Sequence, residues 1–538
     1  MVPNSFFRCT LFLTITLFLL SCKKTPQPYD LLIKNGTVYD GTLSPPQTMD
    51  IAIAGDKIVK LGHLDPILAL ETIDAKGLTV APGFIDTHTH LDPLDNLIEL
   101  STAESQLRQG ITTSIGGPDG QGVPLQFTMQ EFLDSLERTG IGINMGFMAG
   151  HNSIRKRVMG MEDRAPTEKE LAQMIEQVAQ AMNEGAFGLS TGLKYLPGAF
   201  AHVDEVIALS KAAANKGGVY STHLRDEGIE IMPAIEETIK IAKEANIPII
   251  LTHHKVIGKP MWGKSNSTLA RVDEARKNNV NIILDQYPYN ASHTGLSVLI
   301  PAWARAGGQQ KFIERLADQT LYKKIQAEII FNILNDRGGK DLKRIQFARV
   351  PWQPELEGKT LHDWIVQEGR EPTIEIGAEY VIKGQRNGGA SCIYHAMDEK
   401  DVENIMQHPL TMIASDGRLS RPGKGHPHPR AYGTFPRVLG QYVREKKLLS
   451  LEEAIYKMTS FPAQTYGLNK RGQIKEGMMA DIVIFDANTI EDKATFIDPH
   501  QYPVGIDYVL VNGKKAIDQG QFLNKKEGRV LRKNSSPK

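Results

Sequence analysis

Between residues 81 and 414 the chain repeats one pattern: a short apolar run, a turn, and an amphipathic stretch long enough for a helix. The apolar runs fall at 81–85, 112–116, 141–149, 187–190, 219–221, 248–251, 281–284 and 411–414, and helical periodicity marks 168–183, 203–216, 229–245 and 267–278. Strands that alternate with helices pair in parallel, because each helix carries the chain back to the start of the next strand. Eight such units predict an α/β fold built as a (β/α)8 TIM-like barrel, with its active site at the C-terminal ends of the strands. The seventh and eighth runs are separated by a long stretch, about 290–386, with helical patterns over 309–336. Structureless loops of that length are uncommon, so it reads as an inserted lid or subdomain.

The two chain ends follow a different pattern. Residues 30–80 hold short strands around a turn at Asn35-Gly36, and 480–485 and 509–511 run into a second turn at Asn512-Gly513. Asn-Gly between alternating residues is a strong hairpin signal. The expected organisation is a small β-sandwich domain from 29–80 plus 470–525, and a catalytic barrel over 81–469.

At the N-terminus, Arg8 precedes an apolar run from Leu11 to Leu20, and Ser21-Cys22 follows. The run is shorter than the ~20 residues a bilayer span needs, so it reads as a lipoprotein signal peptide, 1–22, cleaved to leave Cys22 lipidated. The alternative is an uncleaved anchor helix. Lys23 follows in place of the aspartate that retains Gram-negative lipoproteins at the inner membrane, so the expected location is periplasm-facing or outer membrane, with the lipid as the membrane contact. Of three cysteines, only Cys392 then remains in the mature body, which excludes an internal disulfide and calls for a large self-sufficient core. Lysine plus arginine and aspartate plus glutamate both number 62, with no long run of one sign. This balance argues against a nucleic-acid partner and for a small molecule.

The chemistry-bearing residues sit at strand ends. His88 and His90 follow Gly83-Phe84-Ile85-Asp86-Thr87, and residues two apart on an extended chain share a side. His223 closes the run at 219–221, His253 the run at 248–251 and Asp416 the run at 411–414. Four imidazoles and a carboxylate at four strand termini match the donor set of a divalent metal.

This arrangement resembles the amidohydrolase superfamily. The segments Gly185-Ala186-Phe187-Gly188-Leu189-Ser190-Thr191-Gly192-Leu193, His223-Leu224-Arg225, His253-His254-Lys255, Tyr287-Pro288-Tyr289, Ser415-Asp416-Gly417 and His426-Pro427-His428-Pro429-Arg430 are similar to its N-acyl-D-amino-acid deacylases, the D-aminoacylases. The resemblance runs from about Tyr29 to about Phe522. It implies metal-dependent hydrolysis of a linear amide, with one or two divalent ions, expected to be Zn2+. It gives Asp416 the role of passing a proton from the attacking water to the departing nitrogen. It also implies a clamp for the substrate α-carboxylate at Lys255, Tyr287 and Arg430, with Tyr195 lining the pocket, and a side-chain contact at Met397. In the family, a cysteine after the second strand joins the histidines matching His223 and His253. Here Gly117-Pro118-Asp119-Gly120 places Asp119 at that position, exchanging a soft thiolate for a hard carboxylate. Asp119 as a plain turn residue is the competing reading.

His151 and Arg155, after the third strand, have open roles, Arg225 and Glu227 read equally as contacts behind the metal ligands or as a surface ion pair, and the proline-spaced His426 and His428 read as loop structure. Two rival functions are compatible with the sequence. One is another amide hydrolysis of the superfamily, on a D-dipeptide or a cyclic amide. The other is a non-catalytic lipoprotein that binds amino-acid derivatives on a decayed barrel.

Overall fold

The computed structural model describes residue 1, residues 29–91 and residues 94–533. The expected signal segment and Cys22 lie outside the described residues, apart from Met1. Among the described residues no helix is long and apolar enough to cross a membrane.

The barrel strands are all parallel. Phe84–Asp86, Ile111–Gly116 and Asn144–Phe147 pair in that order. Ala149–Gly150, Gly188–Gly192, Val219–His223, Ile249–Leu251, Ile282–Gln286 and Thr411–Ile413 continue the wall. Phe187 N–H donates to the Phe147 carbonyl, and Asp416 N–H donates to the His88 carbonyl, which joins the eighth strand end to the first and closes the ring. The (β/α)8 fold class expected from the periodicity is therefore present. Two details differ. The strand expected over 81–85 is two strands, with Thr79–Pro82 in the end sheet and Phe84–Asp86 in the barrel. Gly83 stands between them, where a Cβ would lie 2.3 Å from the Thr112 side chain. The run at 141–149 is likewise broken, into Asn144–Phe147 and Ala149–Gly150.

Strand alternation sets both the packing and the site. Ile250 joins the inward cluster with Ile85, Ile115, Val219, Ile283 and Met412, while its neighbours Ile249 and Leu251 pack with the helix layer. Full burial of each such side chain contributes about 1.5–3 kcal/mol. Val219, Ser221 and His223 share one parity, so the alternation that takes Val219 into the core takes His223 into the barrel mouth. The helices are made by local signals as well as by burial. In Glu168–Asn183 the Thr167 hydroxyl accepts from Glu170 N–H and the Glu170 carboxylate accepts in return, while Met174, Val178 and Met182 repeat every four residues on the buried face.

The chain ends form a nine-stranded sheet in which Ile482–Phe485 pairs with Thr79–Pro82, so C-terminal strands extend the N-terminal set. Between the seventh and eighth barrel strands, Ser292–Gly295, Ser391–Tyr394 and Ile345–Arg349 make a separate antiparallel sheet. It is backed by helices Gln309–Ala317, Gln319–Asn332, Leu361–Gln367 and Ile374–Arg386. Trp364, 4.7 Å from Tyr380 and 5.7 Å from Phe347 between ring centroids, fills its core.

Candidate metal centre

The strand ends converge on one buried carboxylate. Asp119 Oδ1 lies 3.6 Å from His88 Nε2 and 3.3 Å from His253 Nε2, and Oδ2 lies 3.6 Å from His90 Nε2 and 3.7 Å from His223 Nδ1. Asp416 Oδ1 lies 3.1 Å from His90 Nε2 and 3.6 Å from His88 Nε2. Three overlapping triads result, His88 with His90 and Asp119, His88 with His253 and Asp416, and Asp119 with His223 and His253, each with its donor atoms within 4.8 Å of one another. Asp119 belongs to two of them, so its side chain does more than close a turn.

The backbone that delivers these groups is strained. Asp119, His253 and Asp416 adopt φ of 52°, 37° and 49°, a region non-glycine residues rarely occupy. The Asp119 turn is held from outside. Ser190 Oγ accepts from Gly120 N–H and donates to the Gly117 carbonyl. The Asn152 amide donates to the carbonyls of Gly192 and Tyr195 and accepts from Gly192 N–H. A Cβ on Gly120 would meet Asn152 Oδ1 at 2.1 Å. At the opposite side, Asp86 accepts from Ser415 N–H and Ser415 Oγ, tying the first strand to the eighth beside Asp416.

Electrostatics leave His88 and Asp119 in ligand-ready forms and His253 holding a proton. Burial pushes His88 down to about 3, which keeps it neutral. Burial works against the Asp119 carboxylate, yet His88 and His253 hold it well below the usual range. Burial and Lys255 oppose the His253 charge, but Asp119 and Glu227 raise it to about 10. Both ring nitrogens of His88, His223 Nε2 and Asp119 Oδ1 are buried without a hydrogen-bond partner. Each such atom costs about 1–3 kcal/mol if nothing fills the gap. Imidazoles and carboxylates pointing at one another with unmet valences fit a divalent cation, which would take the place of the His253 proton, and the N/O donor set suits zinc. His88, His90, His223, His253 and Asp119 would hold it, with Asp416 at its edge.

The residues expected to grip a carboxylate stand together. The Tyr287 ring lies 4.6 Å from the Arg430 guanidinium and 5.6 Å from Lys255 Nζ. Arg430 is ion-paired with Asp416 Oδ2 at 2.8 Å, and Lys255 Nζ is 2.5 Å from Glu227 Oε1 and 2.7 Å from His253 Nδ1. The loop expected to carry Arg430 ends at that residue, which begins the helix Arg430–Arg437. His428 Nδ1 accepts its N–H, and the His428 ring also contacts the Ala291 carbonyl, so His428 is structural, as its proline neighbours suggested. The Tyr195 ring lies tilted against His223 at 4.5 Å between centroids, and its hydroxyl accepts from Thr294. Met397 Sδ lies 4.0 Å from the Tyr287 hydroxyl.

Of the residues with open roles, Glu227 enters the site. It is buried between Lys255, His253 and, at 3.6 Å, His223. His151 and Arg155 pair instead with buried Glu205, and Arg225 with Glu237. Sequence reasoning missed Asn152, Ser190 and Asp285, whose carboxylate accepts from His253 N–H at 2.5 Å. Only the polar character of Asp285 in an apolar strand could have flagged it. A cavity of about 890 Å³ opens above the centre, lined by His90, Asp119, His223, His253 and Asp416 below and by the inserted subdomain above.

Comparison with known proteins agrees with this geometry. The sequence profile of the amidohydrolase family matches residues 71–517. The chain is 35% identical to a D-aminoacylase of Alcaligenes xylosoxydans xylosoxydans, covering 94% of this chain and 98% of that protein. It is 36% identical to an N-acyl-D-glutamate deacylase of the same organism, covering 94% and 97%. Among solved structures, an N-acyl-D-glutamate deacylase from Bordetella bronchiseptica superposes with a TM-score of 0.79 at 32% identity, covering 94% of this chain and all of the other. That protein is complexed with zinc and a phosphonate that mimics the tetrahedral intermediate.

Proposed function

The chain belongs to the D-aminoacylase branch of the amidohydrolase family, and from that premise we propose that it hydrolyses the amide bond of N-acyl-D-amino acids to a carboxylate and a free D-amino acid. The observation that carries this reading is the meeting of Asp119 with four strand-end histidines, beside an Asp416 that is paired to Arg430.

A divalent metal, taken as Zn2+, would supply a Lewis acid for the amide carbonyl and lower the pKa of a water. The rest of the chemistry is assigned to side chains. Asp416 takes a proton from the attacking water at Oδ1 and delivers it to the departing nitrogen, which leaves as an amine only when protonated. Arg430 holds Oδ2 of that carboxylate. The face formed by Lys255, Tyr287 and Arg430 receives the substrate carboxylate, an arginine fork and an ammonium being suited to that anion. Glu227 orients Lys255 and the Nδ1 side of His253. Tyr195 closes the pocket over His223. A cyclic amide without a free carboxylate would not use that cationic face, which favours a linear substrate.

On sequence alone, we also place the protein as an exported lipoprotein anchored at Cys22, periplasm-facing or in the outer membrane. Membrane fractionation of wild type and Cys22→Ser tests it, and equal recovery of both in the soluble fraction would reject it.

Elemental analysis of purified protein, with release of free amine from paired N-acetyl-D- and N-acetyl-L-amino acids, tests the activity. Bound divalent metal with turnover of D-substrates alone is expected. An inactive protein after reconstitution with zinc, manganese and cobalt would support the binding-protein alternative.

A further inference from the structure

The carboxylate clamp occupies one side of the barrel mouth. Lys255, Tyr287 and Arg430 follow the sixth, seventh and eighth strands, and the metal donors stand between them and the far wall. A substrate held there by its α-carboxylate, with its amide at the metal donors, sends its acyl group towards the second, third and fourth strands, which lie diametrically across an eight-stranded ring.

A second cavity, of about 630 Å³, lies on that side. Its walls are the loop 121–126 after the second strand, the start of the helix His151–Met159 after the third, and residues 195–197 after the fourth. Asp119, Gln121, Tyr195 and Leu196 line both cavities, so the two meet beside the metal donors.

The wall of the second cavity is apolar. Val123, Pro124, Leu125, Leu196 and Pro197 supply it, and the two prolines have no N–H to donate. Asn152 commits its amide to Gly192 and Tyr195, and the Ser153 hydroxyl donates to the Gln121 carbonyl. The Pro124 carbonyl accepts from Phe127 N–H. Lys156 and Gln126 are exposed, so their polar ends stay in water. The groove is also held open. The Arg157 guanidinium donates to the carbonyls of Leu125 at 3.1 Å and Phe127 at 3.4 Å, and Gly122 packs so closely on Gly150 that a Cβ there would lie 2.3 Å from Gly122 N. Leu125 is thereby kept 40% exposed on a fixed loop, which leaves preformed apolar surface for a ligand to cover.

Resting on the deacylase reading above, we propose that this groove binds the acyl group, and that the preferred substrates carry a medium-length alkyl chain there in place of acetyl. The amide carbonyl stays at the metal donors, and the chain passes Tyr195 to lie along Leu196 and Leu125. Hydrolysis puts the water oxygen on the acyl carbon and a proton on the nitrogen, releasing an alkanoate and the D-amino acid.

Acyl-chain length on one D-amino acid tests the groove. From N-acetyl- to N-octanoyl-D-leucine, both below micellar concentration, kcat/KM of the wild type should rise at least about tenfold, the scale of an alkyl chain buried along one side. Leu125→Asp should lower that octanoyl-to-acetyl ratio by a similar factor, and Leu125→Phe should keep it. Leu125 is exposed, so neither variant disturbs the core. A smaller rise in the wild type would overturn the inference, as would a ratio unchanged in Leu125→Asp. Calorimetric binding of N-octylsulfonyl- and N-methylsulfonyl-D-leucine, which lack a cleavable amide, separates this inference from the activity. Tighter binding of the octyl probe, lost in Leu125→Asp, supports the groove even if no amide is turned over. Equal binding of both probes by a protein that hydrolyses N-acetyl-D-leucine sinks the groove and leaves the deacylase standing.

Discussion

Asp416→Asn is the substitution that isolates proton transfer from everything else the site does. The side chain is 6% exposed, with Oδ2 at 2.8 Å from Arg430 and Oδ1 at 3.1 Å from His90. Asparagine keeps the volume and one carbonyl oxygen for Arg430 but cannot accept and return a proton. Removing a positioned general acid and base lowers the rate by about 10²- to 10⁴-fold, or ~3–5 kcal/mol at 1.36 kcal/mol per tenfold. Weakening the contact to buried Arg430 should cost a further ~1–3 kcal/mol in stability, without unfolding the chain. Steady-state kinetics on an N-acetyl-D-amino acid, with metal content measured on the same sample, reads both effects. The expectation is a kcat at least about a hundredfold lower with metal content unchanged. A kcat within threefold of wild type, at full metal occupancy, would refute the shuttle role.

Asp119→Cys should alter metal preference towards softer ions, and Asp119→Ala should lower metal retention on dialysis, both read by elemental analysis; retention as in wild type by the alanine variant would remove Asp119 from the centre. Gly120→Ala drives a Cβ into Asn152 at a φ of 77°, so metal binding should weaken with a stability loss of about 1–3 kcal/mol, and unchanged metal titration would contradict that. Glu227→Gln leaves Lys255 and His253 without their buried anion; breaking such a pair costs about 3–5 kcal/mol, so chemical denaturation should shift to lower denaturant, and an unshifted curve would make Glu227 dispensable. Burial lowers Lys457 from 10.5 to about 8. The unfolded chain then binds a proton that the folded one lacks between pH 8 and 10.5, so this residue's contribution makes stability rise across that window, a rise that Lys457→Met should lack.

Much of the fold was legible because its signals are local. Periodicity of two in the strands and 3.6 in the helices located the barrel, and the helical pattern over 309–336 matches Gln309–Ala317 and Gln319–Asn332. Strand-end position likewise identified His88, His90, His223, His253 and Asp416, since the barrel brings the C-terminal strand ends to one mouth. What depends on distant contacts was not legible. Pairing of Ser391–Tyr394 with Ser292–Gly295 joins segments about a hundred residues apart, and neither strand is long enough to declare itself. Ser190 holds the Asp119 turn through bonds across the barrel mouth and Asn152 packs against that turn while bonding Gly192 and Tyr195, and an isolated asparagine or serine carries no signal of that in sequence. Glu227 read equally well as a surface residue; only its burial between Lys255 and two histidines distinguishes it. The Asp119 position was legible as a substitution, while its contact with four imidazoles required the fold.

The measurement closest to the central claim is metal titration of chelator-treated protein, following amide hydrolysis of N-acetyl-D- and N-acetyl-L-forms of one amino acid at each metal equivalent. The account predicts that activity is absent without metal, returns in proportion to bound divalent ion, and is confined to the D-form. Metal-free protein that hydrolyses either form at the reconstituted rate, or reconstituted protein that prefers the L-form, would contradict it.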